Sequence, residues 1–140
     1  MSLRASRRAL GKSHPAILRA RLDALTDNTP PPRLLTPPAP PAPNCSEEHF
    51  QLLTEDLAAV FGWWLKRDGD SRRTQAGWPD SFFVKPGRAV GLEYKTQTGK
   101  VRPEQRIVIG LLATVPGVEA RIVRPSDWDW IVATLTKQRD

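Results

Sequence analysis

The chain has one cysteine, Cys45, and two histidines, His14 and His49, in 140 residues. A single thiol excludes an internal disulfide and a multi-cysteine zinc site, and so few imidazoles argue against a His-rich metal site. Nowhere do about 18 apolar residues run together, so no segment reads as a membrane-spanning helix. The N-terminus also lacks the apolar core of a secretory signal. Instead Arg4, Arg7, Arg8, Lys12, Arg19 and Arg21 give it the Arg-rich, acid-poor look of a transit peptide. The simplest expectation is a soluble protein of the cytoplasm.

The net charge of +6 is unevenly spread. Residues 1–43 carry seven Lys/Arg against Asp23 and Asp27, whereas residues 44–140 carry fourteen against thirteen acids. A basic N-terminal arm suggests a polyanionic partner, nucleic acid or an anionic surface, or else a solvated tail. Within it, Ile17, Leu18, Leu22 and Leu25 share one face of a short amphipathic helix over 14–25. Residues 30–43 hold eight of the fourteen prolines and read as an extended linker. This divides the chain into a basic arm at 1–29, a Pro-rich linker at 30–43 and one folded domain at 44–140.

The domain opens with Ser46 as an N-cap, Glu47 and Glu48 in the first turn, and Phe50, Leu53, Leu57, Val60 and Phe61 at helical spacing, stopping near Gly62. A short strand at Trp63–Lys66 precedes a polar loop. Ser81–Lys85, a Pro86-Gly87 turn and Ala89–Lys95 form a hairpin signature. Pro103 suits the first turn of a helix with Ile107, Val108, Leu111, Leu112 and Val115 on its apolar side. A strand over Val118–Val123 follows, then a capping box at Ser126–Asp129 that starts a last helix. Helices flanking one small mixed sheet predict an α/β sandwich.

Gly77-Trp78-Pro79-Asp80 and Gly91-Leu92-Glu93-Tyr94-Lys95 carry the chemistry. On a strand, Val90, Leu92 and Tyr94 point one way, and Gly91, Glu93 and Lys95 the other, with Glu93 and Lys95 about 7 Å apart along the strand. Gly91 would leave room for a ligand or another backbone. The hairpin can bring Asp80 near Glu93, and two close carboxylates repel unless one holds a proton or a cation lies between them. Hard oxygen ligands of this kind suit Mg²⁺ or Mn²⁺, and Lys95 could position a water or stabilise charge developing on phosphate. An ordinary surface Glu/Lys pair is the bland alternative.

Together with Gly99-Lys100-Val101-Arg102-Pro103-Glu104-Gln105, this array resembles the PD-(D/E)XK nuclease superfamily, and within it the VRR-NUC group, which includes small phage-encoded members. The resemblance runs from about Glu47 to Leu135, and extends to Asp70-Ser71-Arg72-Arg73 and Arg124-Pro125-Ser126-Asp127-Trp128. It implies a restriction-endonuclease-like α/β/α core and Mg²⁺-dependent cleavage of DNA, with Mn²⁺ as a substitute. It implies Asp80, Glu93 and the backbone carbonyl of Tyr94 as metal ligands, Lys95 as the catalytic lysine, Gln105 beside the site, and Glu47 as an acid on the first helix, for which Glu48 competes. Arg102 stands where this group has a small capping residue, and Ser81 and Phe82 replace an aliphatic run after the Asp. Those departures bear on substrate preference rather than on Asp80, Glu93 and Lys95.

Ser71, Arg72, Arg73, Lys100 and Arg102 are candidates for phosphate contacts and Trp78 for base stacking; core packing is expected for most of Trp63, Trp64, Trp128 and Trp130. The expected function is a DNA endonuclease, on branched or structured DNA if the resemblance holds. The alternatives are a nucleic-acid-binding or assembly protein without turnover, and a nuclease active only with a replication or repair partner held through the arm. Cutting both strands of a junction would favour a homodimer.

Overall fold

The computed structural model describes residues 38–67 and 75–137. The chain divides at Pro31–Pro32, and all described residues belong to the second unit. The predicted helix over 14–25 and Ser71, Arg72 and Arg73 lie outside the described residues. Among the described residues no helix is long and apolar enough to cross a membrane.

The architecture is an α/β sandwich. Helix α1 (Glu47–Val60) leads to strands β1 (Trp64–Arg67), β2 (Ser81–Lys85) and β3 (Arg88–Tyr94), then α2 (Pro103–Ala113), β4 (Val118–Val123), a 3-10 turn at Pro125–Asp127 and α3 (Trp128–Thr136). The sheet order is β1-β2-β3-β4; the first two pairings are antiparallel and β3–β4 is parallel. The hairpin and the α2 crossover account for this mixture, since only a crossover can return a strand parallel to its predecessor.

Ser46 caps α1 as expected, its hydroxyl accepting the His49 N–H at 3.1 Å. Leu57 and Phe61 follow Phe50 into the core, but Val60 is exposed. The inward register continues instead through Thr54, whose hydroxyl donates to the Phe50 carbonyl and so can be buried. Val90, Leu92 and Tyr94 are buried against α1 and α3, with Phe50 and Tyr94 in edge-to-face contact at 5.3 Å. Trp63 and Trp128 are buried in the same core, while Trp64 and Trp130 are half-buried. Arg88 donates to the carbonyls of Thr134 and Lys137, satisfying the open C-terminal end of α3.

Two further expectations are corrected. On α2, Ile109 is buried and Val108 and Leu112 are half-buried, whereas Ile107 and Leu111, and Val115 just past the helix, are exposed. The last helix is not started by a capping box at Ser126. Asp127 instead turns back to accept the Arg124 N–H at 2.8 Å, closing the 3-10 turn, and the Ser126 hydroxyl accepts from Gln97. Contact with the domain begins before Asn44: Pro41 is buried and the Trp128 indole donates to the Pro38 carbonyl at 3.1 Å.

Candidate active site

The end of the β2–β3 hairpin, the N-terminus of α1 and the first turn of α2 surround one cleft of about 490 Å³. Glu47, Asp80, Glu93, Lys95 and Gln105 all line it, with Trp78 and Arg102. Lys100 is exposed and does not line it, and neither does Glu48.

The segment before β2 enters this cleft on a glycine. Gly77 has φ +91°, and a Cβ there would lie 2.3 Å from the Glu104 carbonyl oxygen. Only glycine permits both the left-handed backbone and this approach to α2. Pro79 then fills the space above Gly91, where a Cβ would meet its ring at 3.1 Å and that of Phe82 at 3.3 Å. Gly91 therefore makes room for Pro79 and Phe82, not for a ligand. Trp78 is half-buried and packs on Phe82 at 5.4 Å.

Asp80 is held by backbone. The Tyr94 N–H donates to Asp80 Oδ2 at 3.0 Å, just beyond the last β2–β3 pair, Ser81 with Leu92. The N–H and C=O of one strand residue leave on the same edge, so the Tyr94 carbonyl faces Asp80 too. The Tyr94 ring points the other way into the core, and its buried hydroxyl has no hydrogen-bond partner among the described residues.

Glu93 is 4% exposed and Lys95 9%. The Lys95 ammonium lies 3.9 Å from Glu93 Oε1, which also accepts from the Gln105 amide. Gln105 is fixed at its other end, where Oε1 accepts the Arg102 N–H at 2.9 Å. Arg102 has no acceptor to offer in return, so Gln105 supplies the only side-chain cap there. Burial pushes the Glu93 carboxyl up to about 8; the charge of Asp80 adds to this and that of Lys95 opposes it. Burial also pushes the Asp80 carboxyl up, against the Tyr94 N–H bond, which favours the charged form.

A half-buried Asp80 and a buried Glu93, whose ionisation the Asp80 charge hinders, form a donor set that fits a small divalent cation with hard oxygen preference. Among the described residues no three His, Cys, Asp or Glu side chains are grouped to hold a metal. A cation here would rest on Asp80, Glu93, the Tyr94 carbonyl and water. Glu47 stands at the rim, its carboxylate 3.5 Å from where a Gly99 Cβ would be.

Two supports escaped the sequence reading. Glu55 is buried and accepts from Arg67 Nη2 at 2.6 Å, Ser81 Oγ at 2.9 Å and Gln51 Nε2 at 2.7 Å, tying α1 and β1 to the residue after Asp80. The four-residue spacing Glu47-Gln51-Glu55 places all three on one helix face and was the available signal. The loop after Lys95 is held by Arg124, which donates to the Thr96 carbonyl at 2.6 Å, and by two bonds between Gln97 and Ser126.

No known protein-family model, curated protein or solved structure matches this chain.

Proposed function

We propose that the chain is a divalent-metal-dependent deoxyribonuclease that hydrolyses DNA phosphodiester bonds at the Asp80–Glu93–Lys95 cleft. One observation carries this reading: two carboxylates and a largely buried lysine line one cleft, with the first carboxylate held by the Tyr94 backbone and the second oriented by Gln105.

Asp80, Glu93 and the Tyr94 carbonyl would hold Mg²⁺, with Mn²⁺ as a substitute. Such an ion polarises a phosphoryl oxygen and lowers the pKa of water. The chain's own groups do the remaining work. Lys95 supplies a fixed positive charge beside Glu93, suited to orienting a water or balancing charge that develops on a phosphate. Gln105 holds Glu93 in one rotamer, so little reorganisation is required when substrate arrives. Arg102 at the cleft and Lys100 nearby can contact flanking phosphates, and Trp78 can meet a base or sugar at the rim.

Cleavage of a labelled panel (duplex, single strand, flap and four-way junction) with Mg²⁺, Mn²⁺ or EDTA tests the proposal. Metal-dependent cutting by the wild type, lost in Asp80→Ala and Lys95→Ala, supports it, and the preferred member names the DNA structure. DNA binding without cutting under either metal rejects it in favour of a binding module.

A further inference from the structure

The sheet ends on β4, whose outer edge has no neighbouring strand among the described residues. An unpaired edge is a template for another strand unless something blunts it. β4 contains no proline or lysine and pairs with β3 without a bulge.

The free backbone groups follow from the existing pairing. The Gly117 and Val123 carbonyls accept from the N–H groups of Ala89 and Lys95 at 2.8 and 2.9 Å. Pairing direction alternates along a strand, so the odd-numbered residues face β3 and Val118, Ala120 and Ile122 face outward. The Val118 N–H is already taken by the Val115 carbonyl. The Val118 carbonyl and both groups of Ala120 and Ile122 have no backbone partner among the described residues.

That edge, Val118-Glu119-Ala120-Arg121-Ile122, is complementary to its own antiparallel copy. About a two-fold axis at Ala120, the two Ala120 residues exchange two hydrogen bonds. The Ile122 N–H of each copy reaches the Val118 carbonyl of the other, and Glu119 lies opposite Arg121. Opposite charges facing across an antiparallel pair are favourable and like charges are not. A shift of two residues in either direction would set Glu119 against Glu119 or Arg121 against Arg121, so the charges select one register. Arg121 stacks over Trp130 at 4.6 Å and pairs with Asp127 at 3.5 Å, which restrains its guanidinium. A groove of about 490 Å³ runs along the edge, where Ala113 of α2 and Ala133 of α3 are small enough to leave it open.

We propose that the chain forms a two-fold symmetric dimer by antiparallel pairing of the β4 edges about Ala120, joining two four-stranded sheets into one. The inference is independent of the nuclease reading; if both hold, one particle carries two clefts related by the two-fold axis.

The test is light scattering or sedimentation of the full chain across a concentration series, with circular dichroism to check folding. Wild type is expected to be dimeric. Ala120→Pro removes an outward N–H without touching the β3 pairing, and Glu119→Lys and Arg121→Glu each set like charges opposite one another. Each should weaken the dimer at least about tenfold, the effect of about 1.4 kcal/mol. Mixing the Glu119→Lys and Arg121→Glu chains should restore a dimer, because the introduced lysine then faces the introduced glutamate while native Arg121 faces native Glu119. A monomeric wild type, or a dimer indifferent to both Ala120→Pro and Glu119→Lys, would overturn the proposal.

Discussion

The Gln105 amide donates to Glu93 Oε1 while its own oxygen accepts the Arg102 N–H, so one side chain both caps α2 and orients the more deeply buried carboxylate. Gln105→Ala removes both bonds. It is expected to lower kcat about tenfold to a hundredfold, as loss of a group that orients a metal-binding side chain does, and to cost about 1 kcal/mol of stability through the lost cap. Steady-state kinetics and thermal melts check the two effects separately.

Gly77 is where the segment carrying Asp80 meets α2. Gly77→Ala is expected to be destabilising by about 2–4 kcal/mol, because the added Cβ meets the Glu104 carbonyl and the backbone conformation is left-handed. Denaturant melts measure the loss. Gly110→Ala makes the control, since a Cβ there meets nothing within 4 Å.

Glu55 acts on the site from behind. Glu55→Ala leaves Arg67 and Ser81 without their shared acceptor and is expected to cost about 2–4 kcal/mol. Arg67→Ala should cost less, about 1 kcal/mol, because its side chain is half-exposed and Glu55 keeps Ser81 and Gln51. Equal losses in the two variants would contradict this account of the network.

Stability of the metal-free protein should depend on pH through Glu93. Its folded pKa is raised from 4.5 to about 8, so the folded state binds the proton more tightly than the unfolded chain. Its contribution is therefore least unfavourable at low pH and worsens as pH rises from about 4.5 to about 8. Glu93→Gln should melt above wild type at pH 8 in EDTA, by a few degrees or more, since about 1 kcal/mol moves the Tm of a domain this size by about 4–8 °C. The difference should shrink at pH 5. An unchanged difference between the two pH values would contradict a raised Glu93.

The hairpin was legible in the sequence because period-2 alternation and the Pro86-Gly87 turn set both register and facing, and with them the side of the sheet that holds Glu93 and Lys95. Gln105 entered only through the resemblance, which implied a glutamine beside the site on the helix marked by Pro103. Tertiary geometry hid the rest. Gly91 reads as open space until Pro79 is seen to fill it, and Glu55 reads as a surface acid until Arg67 and Ser81 close on it from two strands. The exposed stripe Ile107, Leu111 and Val115 has the spacing of a buried face, and spacing alone does not reveal that α2 faces the sheet through Ile109.

The central claim is that Asp80 and Glu93 together hold one divalent cation. Mn²⁺ binding to the full chain, followed by electron paramagnetic resonance of the free ion, tests it most directly. The account predicts one site in the wild type, abolished in both Asp80→Asn and Glu93→Gln and retained in Glu48→Gln, whose carboxylate does not line the cleft. Undiminished Mn²⁺ binding in Asp80→Asn and Glu93→Gln, or no binding to folded wild type with or without DNA, would contradict it.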